Sequence, residues 1–206
     1  MVRLTEKGLA ERAVIDRRSD ELAASILDPL DNQQRTQLVA AMRTVERLIA
    51  TSLVELRAVD PEAPDAQRCL RAYVAELNRR APERGFDPSK GSTAEPDEVR
   101  PPRGAFVVVY LRGEPIGCGA VKHHEGEVTD IKRMWVAESA RGLGVGRRLL
   151  EHLEALAREH GAREARLETG DVLAEAIALY RSAGYVEVAP FNDEPFADRW
   201  FAKQLR

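Results

Sequence analysis

A loop with three glycines at alternate positions separates a β-rich segment that ends at Val136 from a helical segment that begins at once. The glycines are Gly142, Gly144 and Gly146. Glycine lets the backbone curl so that successive amides converge on one point. The free amides and the dipole of the first helical turn favour an anion at that point. Three arginines add positive charge around the loop: Arg141, Arg147 and Arg148. These features predict a cradle for a pyrophosphate.

The spacing of these glycines distinguishes the loop from two common nucleotide-binding patterns. Dinucleotide-binding folds use Gly-x-Gly-x-x-Gly after the first strand of the fold, whereas this loop follows several strand segments. The phosphate-loop pattern that ends in Gly-Lys-Ser/Thr is absent from the sequence. On the glycine spacing alone, a purely structural turn remains an alternative to anion binding.

The residues on either side of the loop predict a mixed α+β fold, in which helices flank a central mixed sheet. Three strands joined by short turns predict an antiparallel meander: 105–111, 116–123 and 127–136. The helix 144–160 and the strand 165–169 then form a crossover, which implies parallel pairing. The other predicted elements are strand 53–59, helix 65–80, a loop over 81–104, helix 173–183, and strands 185–189 and 200–205.

The first fifty residues predict a helical hairpin, so that a domain 1–52 precedes a domain 53–206. Asp31 and Gln34 have the spacing of a capping box. Apolar residues then recur every three or four positions along the second helix: Leu38, Met42, Val45 and Ile49. Two such helices cannot enclose a core alone. The stripe therefore predicts a partner, either the rest of this chain or a second copy in a homodimer.

The composition of the 206-residue chain argues against several other classes of protein. A formal net charge of -3 gives no global attraction for nucleic acid or an anionic membrane. The longest apolar run, 105–111, is far too short to span a bilayer, and the N-terminus lacks the apolar segment of a secretion signal. Cys69 and Cys118 lie far apart in the sequence, so neither a disulfide framework nor a zinc site is expected. We therefore expect a cytoplasmic protein with no metal, membrane or nucleic-acid partner.

Three stretches in sequence order resemble the GNAT superfamily of N-acetyltransferases. They are Ile-Lys-Arg-Met-Trp-Val at 131–136, Arg-Gly-Leu-Gly-Val-Gly at 141–146, and Ala-Ile-Ala-Leu-Tyr-Arg-Ser-Ala-Gly-Tyr at 176–185. They are similar to the family's splayed strand, its Arg/Gln-x-x-Gly-x-Gly/Ala loop, and its helix ending in Tyr before Gly-Tyr/Phe. The resemblance runs from about Leu53 to Arg206. It implies a GNAT fold and an enzyme that uses acetyl-CoA as co-substrate.

The resemblance also implies roles for the matching positions. Backbone groups of the splayed strand bind the pantetheine arm, here Met134, Trp135 and Val136. The loop amides hold the pyrophosphate, here Arg141, Gly142, Leu143, Gly144, Val145, Gly146 and Arg147. Tyr180 lies where many members place a tyrosine near the coenzyme sulfur, and its phenol is a candidate proton donor to the departing thiolate. The alternative is that Tyr180 is only a buried ring that packs against the coenzyme arm.

The residue that takes the proton from the attacking amine is less well defined by the sequence. A carboxylate on the strand before the loop often does so in the family, and Asp130 is the first candidate, followed by Glu127. Glu168, on the strand after the long helix, is a further candidate. Asp130 as a salt-bridged strand residue is the alternative, and the pair His123 and His124 is expected at the surface. Leu173 occupies a position where many members carry an Asn that contacts the coenzyme, so that contact is not carried over.

The implied reaction is direct transfer of an acetyl group to a primary amine, without a covalent acyl-enzyme, so Cys118 is not expected as a nucleophile. The amine is expected opposite the coenzyme, between the loop 81–104 and the segment 191–199. That segment supplies aromatic rings and two carboxylates that suit a cationic amine, although an ordinary acidic loop is the alternative. Which amine is acetylated does not follow from the sequence.

The N-terminal residues carry a second resemblance. Arg-Leu-Thr-Glu-Lys-Gly at 3–8 is similar to the end of the wing in MarR-type regulators, in which two long dimerisation helices follow. The chain thus resembles a MarR–GNAT fusion in which the DNA-reading helices are absent. An acetyl-CoA-binding sensor with little or no catalysis is therefore the alternative function, and a transcription regulator is expected only for a longer gene product.

Overall fold

A computed structural model describes residues 4–87 and 94–206, which divide into two compact units, Met1–Leu48 and Ile49–Arg206. The sequence places the boundary slightly later, at the end of the second helix. Five helices and seven strands are present within the described ranges. The helices are α1 (Glu6–Leu27), α2 (Asn32–Ser52), α3 (Pro64–Arg80), α4 (Val145–Glu159) and α5 (Ala174–Ser182). The strands are β1 (Val54–Val59), β2 (Gly104–Leu111), β3 (Glu114–His123), β4 (Val128–Val136), β5 (Glu164–Thr169), β6 (Val186–Val188) and β7 (Arg199–Gln204).

The two N-terminal helices begin at caps that the sequence encodes. The side chain of Thr5 accepts a hydrogen bond from the amide of Gly8 at 3.2 Å and caps α1, which begins at Glu6. Asp31 and Gln34 exchange the two bonds of a capping box, at 2.8 and 3.0 Å. That prediction is confirmed.

Apolar side chains of these helices are exposed to solvent. All 22 residues of α1 lie within the described part of the chain, and none is buried. The exposed apolar residues of the two helices include Leu9, Ile15, Leu22, Ile26, Val39, Met42, Val45, Leu48 and Ile49. Of the stripe predicted on α2, Met42, Val45 and Ile49 are exposed and Leu38 is half-buried.

The second unit is built on a seven-stranded sheet of order β1-β2-β3-β4-β5-β7-β6. All neighbouring strands pair antiparallel except β4 and β5, which are parallel as the predicted crossover requires. The mixed sheet flanked by helices confirms the predicted fold class. The predicted element boundaries are off by one or two residues, and the predicted loop 81–104 contains two short 3-10 turns, Pro82–Arg84 and Pro96–Glu98.

The parallel pair β4–β5 separates after the first three residues of β4. Its ladder joins Val128 to Glu164 and ends where Asp130 faces Arg166. The rest of β4 continues beside β3, with Trp135 opposite Cys118. The sheet therefore splays open between β4 and β5, and the glycine loop and α4 begin at the open end.

The core beneath this opening is formed by α4 packed against the sheet. Its buried face recurs at helical spacing: Val145, Leu149, Leu150, Leu153 and Ala157. A side chain at Gly119 of β3 would bring a Cβ within 2.7 Å of the Leu153 Cδ1 atom, so glycine permits the close approach of α4. A second core cluster, which includes Ala66 and Cys69 of α3, packs with residues of β2 and β3. The glycine loop is thus fixed on a rigid strand and a rigid helix.

Candidate active site

Two cavities open where β4 and β5 separate. The strand–loop cavity, which is lined by the end of β4 and the glycine loop, has an empty volume of about 1090 Å³. The Glu168 cavity, which is lined by Glu168 of β5, has an empty volume of about 1000 Å³. Both volumes include space open to solvent. Six residues line both cavities: Tyr73, Leu77, Met134, Leu173, Ala176 and Tyr180. The two cavities therefore meet beside Tyr180.

Nine of the ten residues predicted to bind the coenzyme line the strand–loop cavity. They are Met134, Trp135, Val136, Arg141, Gly142, Gly144, Val145, Gly146 and Arg147. The tenth, Leu143, is partly buried against the main core. Leu173, the position that departs from the family pattern, is also part of the lining and presents an apolar side chain there.

The glycine loop has a backbone that only glycine adopts readily. Gly142 and Gly144 have φ angles of 75° and 79°, in the left-handed region. A Cβ at Gly142 would meet nothing within 4 Å, so the backbone conformation and not the available space requires glycine. Gly144 caps α4 without any side-chain bond, and the first amides of a helix have no partner within the helix. The loop therefore presents amide donors at the positive end of α4.

Tyr180 lies at the junction of the cavities in a nearly dry environment. The residue is 5% exposed. Its hydroxyl lies 4.0 Å from the Met134 sulfur, and its ring packs near Tyr185 and Phe201. Burial raises the pKa of Tyr180 well above its usual value, with smaller contributions from Tyr73 and Glu168. The phenol is therefore protonated at neutral pH and is able to donate a proton.

Glu168, at the β5 side of the second cavity, forms a buried ion pair. Its carboxylate accepts a hydrogen bond from the Lys132 ammonium, and the two side chains are 9% and 4% exposed. The Asn192 side-chain amide donates to the other oxygen at 3.4 Å. Burial raises the pKa of Glu168 above its usual value, although Lys132 lowers it. A carboxylate in this setting has a higher affinity for a proton than an exposed one.

Asp130, the first candidate base, lies outside the lining of both cavities. It is 4% exposed. Its Oδ1 atom accepts two hydrogen bonds from Arg166 at 3.0 and 3.1 Å, and its Oδ2 atom lies 2.8 Å from the His124 ring nitrogen. This geometry is that of the salt-bridged alternative. Glu127, the second candidate, lies in a turn and pairs with Arg163 at 3.1 Å.

The histidine pair lies near Asp130 and also outside both cavities. The ring of His123 stacks on that of His160 at 3.6 Å, and its Nδ1 atom lies 2.9 Å from the Thr129 hydroxyl. Burial lowers the pKa of His123 to about 4, with contributions from His160 and His124. The pair is half-buried rather than fully at the surface.

The segment that follows β6 contributes only part of the predicted amine site. Glu194 and Phe196 line the Glu168 cavity. The ring of Phe191 instead packs against Arg166, whose guanidinium carbon lies 4.3 Å from the centroid of that ring. Three aromatic rings form one wall: Phe86 packs edge-on against Tyr73 at 6.0 Å and Phe196 at 4.7 Å. Residues 88–93 of the predicted bounding loop lie outside the described residues.

Several residues at these cavities were missed by the sequence analysis. Glu76 and Tyr73 of α3 line the strand–loop cavity, and Lys132 pairs with Glu168 in the other. The contact between Lys132 and Glu168 has no local sequence signal, because the two residues lie 36 positions apart. The two cysteines are buried free thiols; Cys69 donates to the Gly117 carbonyl at 3.5 Å and Cys118 to the Arg133 carbonyl at 3.4 Å.

The described residues give no further candidate for a metal or membrane site. Across 4–87 and 94–206 there is no group of three or more His, Cys, Asp or Glu side chains placed to hold a metal ion. Within the same residues, no helix is long and apolar enough to cross a membrane.

Comparison with known proteins agrees with this arrangement. Residues 67–185 match the acetyltransferase (GNAT) family. The chain therefore belongs to the GNAT family of acetyltransferases. An IAA acetyltransferase of Azospirillum brasilense is 45% identical over 88 residues, which are 42% of this chain and 58% of that protein. The match thus spans just over half of this relative.

Solved structures show the same fold. A Klebsiella pneumoniae protein assigned as an acyl-CoA N-acyltransferase superposes with a TM-score of 0.58 at 28% identity, covering 75% of this chain and 99% of that one. A GNAT family acetyltransferase from Elizabethkingia anophelis, solved with acetyl-CoA bound, has a TM-score of 0.53 at 15% identity, with 74% and 99% covered.

Proposed function

We propose that this chain is an acetyl-CoA-dependent N-acetyltransferase that moves the acetyl group directly to a primary amine. The observation that carries the proposal is the meeting of two cavities at Tyr180. One is bordered by the glycine loop, and the other contains the buried carboxylate of Glu168. Donor and acceptor entering from the two sides would meet at the phenol.

The residues of the strand–loop cavity fit a coenzyme A derivative. The left-handed loop and the amides at the start of α4 suit a diphosphate, and Arg147 adds a positive charge at the lining. The splayed end of β4, from Met134 to Val136, offers backbone groups along the same cavity for the pantetheine arm. The thioester would then lie near Tyr180.

Two groups of this chain suit the proton transfers. As the amine nitrogen bonds to the thioester carbon, the carbon–sulfur bond breaks, and the nitrogen loses a proton. Glu168 is proposed to accept that proton, because its carboxylate lines the amine cavity and has a raised pKa. Tyr180 is proposed to donate its phenolic proton to the departing thiolate. Solvent exchange then restores both groups.

Asp130 remains the competing proposal for the base. Its carboxylate raises the pKa of Glu168, so its charge also acts on the cavity. The two proposals differ in which variant loses the dependence of rate on pH. If Glu168 is the base, Glu168→Gln removes the acidic limb of the kcat/KM profile, whereas Asp130→Asn retains that limb and shifts it to lower pH.

The amine is proposed to carry an apolar or aromatic group. The wall of Tyr73, Phe86 and Phe196 offers flat apolar surface beside Glu168. The charge of Arg84 is paired, because Asp198 accepts its hydrogen bond at 2.7 Å. Arg84 therefore does not favour an anionic group on the substrate. A panel that compares phenylalkyl, alkyl and polycationic amines tests this choice.

The helices α1 and α2 support a second proposal, that the chain forms a homodimer through their exposed apolar residues. The resemblance to MarR-type dimerisation helices favours the same interface, although Arg3 of the wing-end sequence 3–8 lies outside the described residues. In the alternative function, a catalytically weak acetyl-CoA sensor, coenzyme binding would alter this dimer.

We propose no nucleic-acid or membrane partner, and a cytoplasmic location.

Release of the coenzyme thiol from acetyl-CoA over an amine panel tests the enzymatic proposal. Turnover that depends on the amine supports it. Tight binding of acetyl-CoA without turnover for any amine class would favour the sensor instead.

A further inference from the structure

Glu76 of α3 is a buried carboxylate in the cavity that we assign to an anionic coenzyme. The residue is 8% exposed and lines the strand–loop cavity beside the glycine loop. A carboxylate at this place would repel a diphosphate unless its charge is neutralised. Its bonds therefore decide whether it opposes or supports binding.

Glu76 is bonded to three donors from three parts of the fold. The Trp135 indole nitrogen donates to one oxygen at 2.8 Å. The guanidinium of Arg141 donates to both oxygens at 2.5 Å, and that of Arg80 lies 2.8 Å away. Burial opposes the charge on Glu76, but the bonds from Arg141 and Trp135 outweigh it and hold its pKa below the usual value. The carboxylate is thus ionised, and the guanidinium groups of Arg141 and Arg80 compensate its negative charge.

The guanidinium of Arg141, the first residue of the glycine loop, is committed to protein groups. Its Nε atom donates to the Val136 carbonyl at 3.2 Å, and another nitrogen lies 3.8 Å from Glu175. Together with the two bonds to Glu76, these contacts fix the side chain on the cavity wall. A diphosphate in the loop would then be bound by backbone amides, and the Arg141 side chain would hold the loop in place.

We propose that Glu76 is a positioning residue for the coenzyme site, because it holds the end of β4 through Trp135 and the glycine loop through Arg141. This inference rests on the proposed function. It assigns to α3 a role that the glycine-loop motif does not contain. The same helix presents Tyr73 to both cavities, one turn before Glu76.

Calorimetric titration with coenzyme A and with pantetheine, which lacks the diphosphate, tests the role of Glu76. Glu76→Gln keeps the volume and an acceptor for Trp135, but loses the charge-assisted bonds to Arg141. We expect the Kd of coenzyme A to rise about tenfold or more, the value that the loss of one such bond implies. The Kd of pantetheine should change by less than about twofold, because Gln still accepts the Trp135 bond that holds the end of β4 and only the pair with the diphosphate loop is lost. A general structural defect would weaken both ligands alike.

Two further variants separate positioning from stability. Glu154→Gln is the matched control, since Glu154 is also a buried carboxylate bonded to cations, Lys203 and Arg158, but lies outside both cavity linings. It should lower the melting temperature without altering the Kd of coenzyme A. Arg141→Gln breaks the same pair from the other side and replaces Glu76→Gln if that variant does not fold. The two substitutions should be strongly non-additive when combined.

Trp135 emission gives a readout without ligand. In a Trp200→Phe background, Glu76→Gln should shift the emission of Trp135, because the charged partner of its indole is lost. An unchanged Kd for coenzyme A in a folded Glu76→Gln protein would overturn the proposal, as would equal weakening of pantetheine. If the unaltered protein binds no coenzyme A, the proposed function fails together with this inference; if it binds and only the variant result is negative, the inference alone fails.

Discussion

The buried pair of Lys132 and Glu168 gives a quantitative test of the Glu168 cavity, in which we place the amine. The side chains are 4% and 9% exposed, so the pair belongs with buried ion pairs and not with surface pairs worth about 0.2–1 kcal/mol. Removing one partner of a buried pair costs about 3–5 kcal/mol, because the other charge stays buried without compensation. We therefore expect Lys132→Met, which leaves the Glu168 carboxylate buried without its cation, to lower the free energy of unfolding by about that amount. Glu168→Gln should cost less, because Gln still accepts a hydrogen bond.

The double variant separates the charge from the packing. Lys132→Met combined with Glu168→Gln removes both charges of the pair, so we expect it to recover most of the stability lost by either single change. Urea denaturation followed by tryptophan fluorescence measures this in the second unit, which contains Trp135 and Trp200. Single variants that each cost less than about 1 kcal/mol, with additive effects in the double variant, would show that the pair is solvated and refute the reasoning.

The pH dependence of this pair has a definite sign. The pKa of Glu168 is raised in the folded protein by burial, so its favourable contribution to folding is present below the unfolded pKa and is lost as the pH rises through the folded pKa. Lys132 lowers that pKa. Lys132→Met should therefore move the acidic limb of the kcat/KM profile to higher pH, and a shift to lower pH would contradict Glu168 as the base.

Three other outcomes follow from the same geometry. Tyr180→Phe should lower kcat about 10²–10⁴-fold while coenzyme binding changes little, because the phenol acts as an acid in the reaction; equal activity would remove it from the mechanism. Gly144→Ala forces a side chain into a left-handed backbone, at a cost of roughly 1–2 kcal/mol, and titration should show coenzyme binding weakened by up to about 30-fold. Replacing Met42 and Val45 by Lys should yield monomers in sedimentation experiments if the exposed face of α2 is the dimer interface; an unchanged oligomeric state would exclude that face.

Local sequence patterns predicted much of this fold. The capping box at Asp31 and Gln34, the meander β2–β4 and the crossover to β5 depend on spacing over short stretches, and the structure has all of them. The sequence also predicts a curled backbone at Gly142 and Gly144, because glycine is the residue that adopts left-handed conformations most readily. These features place the loop at a helix N-terminus.

The chemistry around the loop depends instead on contacts that no local pattern encodes. Glu76 meets Arg141 across 65 positions, and Lys132 meets Glu168 across 36. Each contact joins elements that meet only in the folded domain, α3 with the glycine loop and β4 with β5. Asp130 was favoured as base for its place on the strand before the loop, but its position at the last rung of the β4–β5 ladder directs it to Arg166.

The proposed reaction transfers an acetyl group from acetyl-CoA to an amine at Tyr180. Its most direct test mixes the purified protein with acetyl-CoA and an amine panel and measures coenzyme A release beside acetylated amine by mass spectrometry. We predict equal amounts of both products for at least one primary amine, and loss of both in Tyr180→Phe. Thiol release that is independent of every amine, or no acetylated product at all, would contradict the account.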